Sequence, residues 1–241
     1  MVDEKFQRTS LLLGEQGLAN LQSSKVMIVG LGAVGGYALE AIARSGVGHL
    51  ILVDFDSFEK TNINRQILAL ENTIGRKKTE VAKERVLQIN PDCRVEIFDI
   101  FVNEDNIDSL LTLEPDFVID AIDSLSAKCC LLEKLWIKKV ACISSMGAAL
   151  KKDATAIRVS SLAKTDACPL ARQVRRNLRK KGVVINDIIC AYSQEIISTQ
   201  STSCYTNKVL GSLPTITAIF GLVMANYVIQ QLASNNKCSK T

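Results

Sequence analysis

The residues best suited to chemistry gather around one glycine-rich turn. Gly30-Leu-Gly32-Ala-Val-Gly35 has GxGxxG spacing. Between a strand and a helix, its parts have separable jobs: Gly30 permits a tight turn, Gly32 leaves room for phosphate or ribose, and Gly35 lets helix and strand pack closely. Amide groups at the start of that helix face negative charge. Asp54, 24 residues past Gly30, ends the next apolar run, where a carboxylate accepts from ribose hydroxyls; Asp56 follows it. To this point ATP and a dinucleotide fit equally. The segments that come next separate them: Thr61-Asn62-Ile-Asn64-Arg65-Gln66, then Gly75-Arg-Lys77-Lys78, then Asp120-Ala-Ile-Asp123-Ser124. They bring cations and carboxylates to the crevice, whereas a dehydrogenase needs a nicotinamide pocket and a hydride-handling group. The one histidine, His49, starts the second strand, on the edge away from a ligand at the strands' carboxyl ends. The expected nucleotide is therefore ATP.

The elements that must position these residues follow from the pattern of apolar runs. Residues 25–30 and 49–54 read as strands apolar on both faces, with helical spacing over 35–45 between them: a βαβ unit with a parallel, helix-covered sheet. The alternation continues with helices over 77–88, 102–111 (a helix or a turn) and 127–137. Strands are expected over 94–100, 117–120 and 140–144, and one more within 182–192. A basic helix spans Arg172 to Lys181 and should stop at Gly182. Residues 193–212 lack periodicity and read as a loop, and Pro214 opens a last, apolar helix. The expected fold is α/β: a doubly wound, Rossmann-like, mostly parallel sheet flanked by helices. One domain covers 1–241, with a helical extension over 1–24, a nucleotide-binding core over 25–160, and a substrate-side loop, basic helix and apolar helix over 161–241.

Composition narrows the class. A chain of 241 residues that is 47% hydrophobic buries a proper core, and a net charge of +4 admits a polyanionic partner without requiring one. The eight cysteines contain no CxxC pair, which argues against a four-thiolate zinc site and for reduced, mostly buried thiols in a cytoplasmic protein. The polar, acidic start is unlike a secretory signal, and polar residues interrupt the stretch from Leu213 to Leu232, so no membrane span is expected.

The run Asn62 to Gln66, with the glycine turn before it and Asp123 after it, resembles the adenylating enzymes that include ubiquitin-activating enzymes and bacterial sulfur-carrier activators. That likeness covers residues 25–124. Nearly the whole chain is similar to the bacterial tRNA threonylcarbamoyladenosine dehydratases. The further marks are Gln88-Ile-Asn90-Pro91, Cys93-Arg-Val95, Leu162-Ala-Lys164-Thr165, Pro169-Leu-Ala171, and Gly211-Ser-Leu-Pro-Thr215 before Phe220-Gly221. The resemblance implies that Gly32 and its neighbours hold the nucleotide and that Asp54 holds the ribose. It places Asn62, Asn64, Arg65 and Lys78 around the phosphates, with Ser124 beside them. Asp123 would sit at Mg²⁺, with Asp120 sharing or replacing it there. Chemistry makes a matching demand: a carboxylate attacking the α-phosphorus brings two anions together, which Arg65 and Lys78 would neutralise while Mg²⁺ holds the pyrophosphate. Lys77, next to Lys78, leaves that assignment open.

In this reading the threonylcarbamoyl carboxylate on a tRNA adenosine attacks ATP, and a ureido atom of the same group then closes on the activated carbonyl and expels AMP. Intramolecular closure needs no enzyme thioester. Cys168, just before the basic helix, is the candidate if one forms. Arg172, Arg175, Arg176 and Arg179 have helical spacing that can present a positive face to a tRNA backbone. A homodimer is implied by the resemblance, and a cysteine-desulfurase-type sulfur-transfer protein is a conceivable partner. The rival readings are adenylation of the C-terminus of a ubiquitin-like or sulfur-carrier protein, an NAD-dependent oxidoreductase, and a nucleotide-binding regulator or scaffold without activity. The missing CxxC pairs depart from the zinc-bearing sulfur-carrier activators.

Overall fold

The computed structural model of the protein describes residues 2–196 and 210–234. Strands β1 (Lys25–Val29), β2 (His49–Val53), β3 (Arg94–Phe98), β4 (Phe117–Asp120), β5 (Cys142–Ser145), β6 (Ile157–Ser161) and β7 (Ile189–Ser193) form one sheet in the order β3-β2-β1-β4-β5-β7-β6. All neighbours pair in parallel except β6, which runs antiparallel to β7 at the edge. The chain winds outward from β1 through β2 to β3, then returns to lay β4 on the other side of β1. The gap between β1 and β4 is therefore the topological switch point, where a ligand crevice opens at the carboxyl ends of the strands.

Side chains alternate between two apolar layers, as the pleat requires. Val26 and Ile28 of β1 and Leu50 and Leu52 of β2 face helices α2 (Gly35–Arg44), α3 (Lys78–Ile89) and α7 (Pro214–Ser234). Met27, Val29, Ile51 and Val53 face α4 (Glu104–Leu111) and α5 (Leu125–Ile137). A third cluster joins α5 to α6 (Pro169–Lys180) through Leu132, Val174 and Leu178. Strands buried on both faces explain why the sequence reads as unbroken apolar runs.

Helix α1 (Gln7–Gln22) is kinked at Gly14, whose φ is 77°. Helix α7 is long and apolar enough by composition to cross a membrane, yet Ile216, Phe220, Met224, Val228 and Leu232 are all inside the core. It lies so close to α2 that a Cβ on Gly221 would meet the carbonyl oxygen of Val34 at 2.4 Å.

Most expected elements are present with ends shifted by one to three residues. The strand expected at 140–144 starts at Cys142, and the one within 182–192 is Ile189–Ser193. The sequence reading missed β6. As an edge strand with one face half exposed, it lacks the apolar run that marks its neighbours. Because β6 spans 157–161 and β7 follows it in the same sheet, the sheet continues past the expected division at residue 160. Gly182 does stop α6: its φ is 77°, and its N–H and that of Val183 bond back to Arg179 and Leu178. The loop expected at 193–212 lies mostly outside the described residues.

Candidate active site

A crevice of about 850 Å³ opens at the switch point, with the turn after β1 on one side and the segment after β4 on the other. Two glycines in the turn are required by contact. A Cβ on Gly35 would stand 1.8 Å from the Gly30 carbonyl oxygen, and one on Gly30 would stand 2.7 Å from that of Ala121, where Gly30 also has a φ of 90°. Gly32 differs: its missing Cβ faces open space, with nothing nearer than Gln66 Nε2 at 3.8 Å. Gly30 and Gly35 build the turn; Gly32 leaves its backbone open to a ligand.

Asp54 sits at the mouth of β2, 8% exposed. Its Oδ2 accepts the Leu31 N–H at 2.6 Å, and its Oδ1 accepts the Asp56 N–H at 2.9 Å. Those two bonds fix the carboxylate while each oxygen keeps a lone pair for a further donor such as a ribose hydroxyl. Beyond it Phe55 and Phe101 meet edge to face, ring centroids 5.0 Å apart, both lining the crevice and about half exposed.

Two cations line the crevice as well. Lys78, the first residue of α3, is 5% exposed, and its Nζ is 2.9 Å from Asp56 Oδ2. Lys77 points elsewhere: its Nζ donates to the Phe55 carbonyl and it does not line the crevice. Of the two lysines, Lys78 is the one that lines the crevice. Arg65 lines the crevice and is steadied by donating from Nη1 to the Thr61 carbonyl and to Asn64 Oδ1, both at 2.8 Å. Asn62 also lines it, its Oδ1 capping the Glu59 N–H at 3.1 Å. Asp123 and Ser124 line the β4 side, and Asp123 is exposed with no protein donor on its carboxylate among the described residues.

Three expectations need correction. Asn64 is exposed and outside the crevice, acting on Arg65 instead of on a ligand. Asp120 is fully buried: its Oδ2 accepts Lys128 Nζ at 2.7 Å and Ser144 Oγ at 2.6 Å, and its Oδ1 accepts the Ile122 N–H at 3.0 Å. A carboxylate committed in this way is not offered to a metal. On α6, Arg172, Arg176 and Arg179 share an exposed face, but Arg175 turns inward to donate to the carbonyl and hydroxyl oxygens of Thr165. Asp56 lines the crevice as expected, but its carboxylate is the counter-ion of Lys78.

Comparison with known proteins agrees with this architecture. The ThiF family model matches residues 6–241. The chain belongs to the ThiF family. Among its relatives, the tRNA threonylcarbamoyladenosine dehydratase of Bacillus subtilis is 41% identical over 179 residues, spanning 74% of this chain and 70% of that one. The Escherichia coli enzyme of the same name is 35% identical, spanning 95% and 93%. Its crystal structure in complex with AMP superposes with a TM-score of 0.89 over 95% of this chain and 94% of that one, at 36% identity. The ATP complex superposes at 0.87.

Within this ThiF fold several crevice residues escaped the sequence reading. Gln66 is 7% exposed, and its Oε1 has no partner among the described residues, an acceptor left for a ligand or water. It closes the Asn62–Gln66 run, so the signal was present. Phe55 sits between the two acids and was passed over for them. Among the described residues the cysteines give no second site. Burial pushes the Cys93 thiol up to about 11 and those of Cys142 and Cys190 up to about 12. Cys168 is buried at the start of α6, its Sγ accepting the Ala171 N–H at 3.5 Å.

Mg²⁺ passes a test of fit. No group of three or more candidate metal ligands occurs among the described residues, so a site built wholly from protein is absent there. Asp123, whose carboxylate faces the crevice past β4, suits the usual Mg²⁺ arrangement of one or two carboxylates with phosphates and water.

Proposed function

We propose that this ThiF-family chain is an ATP-dependent tRNA threonylcarbamoyladenosine dehydratase. The observation that carries the reading is a crevice that joins a nucleotide cradle to Arg65 and Lys78, in a chain aligned with the Escherichia coli enzyme over 95% of its length. ATP would lie with its ribose on Asp54, its phosphates across Gly32 and the α2 N-terminus, and its adenine against Phe55 and Phe101.

The threonylcarbamoyl carboxylate oxygen attacks the α-phosphorus, forming the acyl-phosphate bond as the bond to pyrophosphate breaks. Arg65 and Lys78 offset the negative charge that builds on the phosphoryl oxygens, and do so without reorganising because Thr61, Asn64 and Asp56 already hold them. Mg²⁺ held by Asp123 would neutralise the departing pyrophosphate. A nucleophilic ureido atom of the same group then attacks the activated carbonyl, AMP leaves, and a proton passes to solvent; the modification is one water lighter. No enzyme thiol enters, in keeping with the burial of Cys168 and the raised Cys142 and Cys190 thiols.

Helix α6 begins at the crevice, where Leu170 lines it, and Arg172, Arg176 and Arg179 lead away along its exposed face. We assign that face to the tRNA backbone, with the enzyme acting as a homodimer in the cytoplasm. Mass spectrometry of modified tRNA incubated with the protein, ATP and Mg²⁺ tests the reaction: loss of one water with release of AMP supports it. Pyrophosphate exchange stimulated by a small protein ending in Gly-Gly, and not by modified tRNA, would replace it with carrier-protein adenylation.

A further inference from the structure

We propose that the buried trio Lys128, Asp120 and Ser144 is a positioning device for Asp123, set beneath the active site and acting only through the loop above it. This rests on the placement of Asp123 at the phosphate end of the crevice.

The geometry forms a closed brace. Asp120 ends β4, Ser144 lies opposite it on β5, and Lys128 projects from the first turns of α5; all three side chains are fully buried. Lys128 Nζ is 2.7 Å from Asp120 Oδ2 and 3.1 Å from Ser144 Oγ, and Ser144 Oγ donates to the same Oδ2 at 2.6 Å. The other oxygen of Asp120 accepts the Ile122 N–H at 3.0 Å, and the Ser124 carbonyl accepts the Lys128 N–H at 3.0 Å. Residues 121–124 are therefore held at one end by the Asp120 carboxylate and at the other by the first backbone turn of the helix that carries Lys128, and Asp123 is the exposed residue between them. The loop also abuts the glycine turn, since the Ala121 carbonyl occupies the space where a Gly30 side chain would be. The brace thus sets the β4 wall of the crevice relative to its β1 wall.

An ion pair with no exposure is a poor stabiliser, because desolvating both charges offsets most of their attraction. What it does supply is direction: three hydrogen bonds converge on the two oxygens of Asp120, while none of Asp120, Lys128 and Ser144 lines the crevice. These three are positioning residues, since none touches substrate.

The test replaces the pair without leaving a lone charge. Asp120→Asn with Lys128→Met keeps an acceptor for the Ile122 N–H and fills the volume, and Ser144→Ala is a milder companion. The expected outcome is a folded protein with near-normal Tm and an ATP Kd within about threefold, a kcat roughly tenfold lower at unchanged KM, and faster hydrogen exchange at Ile122 and Asp123. Ser144→Thr, which retains the hydroxyl, should restore what Ser144→Ala loses. The deciding step is a cycle with Asp123→Asn: adding the paired substitution to that variant should cost nothing further. Full additivity, or an unchanged kcat and exchange rate in a folded paired variant, overturns the brace. If Asp123→Asn alone leaves turnover intact, the site reading itself has failed, and the two failures are distinct. Should the paired variant not fold, Ser144→Ala in the same cycle decides the matter.

Discussion

The two ends of the sheet are built from similar residues put to opposite use. At the amino ends, charged groups are paired with each other or with backbone: His49 Nε2 lies 2.7 Å from Glu96 Oε1, Arg94 reaches the same carboxylate at 2.9 Å, and the Lys25 N–H donates to Asp116 at 2.7 Å. At the carboxyl ends, charged and polar groups line an open crevice with bonding capacity to spare: Arg65 half-buried on its scaffold, Asp123 exposed, Gln66 with a bare acceptor. Parallel winding makes this asymmetry, because it brings the strand-to-helix turns of the parallel strands to one end, with helix N-termini and their unpaired amides. Polar residues at the far end have no such cluster of turns to serve and close on one another.

The contrast is sharpest at Arg65. Its replacement by Ala should lower turnover by roughly 10²–10³-fold, the loss seen when one preorganised donor to a developing oxyanion is removed. Stability should barely change, since among the described residues Arg65 bonds to its own short segment. AMP release and the one-water mass loss in tRNA are the readouts, and retention of full activity would sink the assignment of this wall. Lys78→Ala should be comparably damaging to turnover, with some loss of Tm because the N-terminus of α3 loses its tie to Asp56.

A smaller effect is expected at the nucleotide's outer rim. Phe101→Ala should weaken ATP binding by about 1–3 kcal/mol, the range for a base stacked on an aromatic ring, with kcat at saturating ATP nearly unchanged. Calorimetric titration separates these; an unaltered Kd would place the adenine elsewhere.

Helix α6 divides the same way on a single element. Replacing Arg172, Arg176 and Arg179 together should weaken tRNA binding and flatten its salt dependence, by about one unit of slope for each phosphate that is no longer neutralised. Arg175→Ala should leave that slope alone and lower Tm, since its guanidinium braces Thr165. If Arg175→Ala flattens the slope as much as the triple change does, the inward placement does not describe the tRNA-bound protein.

How much of this was legible beforehand follows the same division. The βαβ unit, the glycine turn and Asp54 were readable because backbone geometry dictates residue type there: only glycine survives 1.8 Å from a carbonyl oxygen. The resemblance to adenylating enzymes implied Lys78, Arg65 and Asp123 for the crevice, with Lys77 beside Lys78 leaving that choice open. A helix start turns adjacent residues by about 100°, and only packing says which way. Asp120 misled because a carboxylate ending a strand beside Asp123 looks the same in sequence whether it faces solvent or Lys128, eight residues on. Arg175 misled for a similar reason: i, i+3 and i+4 spacing defines a face but not which edge of it touches the neighbouring turn. The edge strand β6 was lost because pairing, and not composition, makes it a strand.

The amino end supplies the smallest predicted effect and the control for the rest. Burial lowers the His49 pKa below its usual value, opposed by the hydrogen bond to Glu96 and aided by Arg94 and Lys25. A depressed folded pKa means that the unfolded chain takes up a proton first as pH falls below about 6.5, so stability is full above that pH and declines as pH drops towards the folded value. His49→Gln, neutral throughout, should flatten that part of the Tm–pH curve, by no more than about 2–4 °C for a chain of this size. Turnover at pH 7.5 should stay at the wild-type level, because the group lies a full strand length from the crevice. A loss of turnover like that of Arg65→Ala, in a folded His49 variant, would mean that the amino end is coupled to the chemistry and that the division between the two ends is not functional.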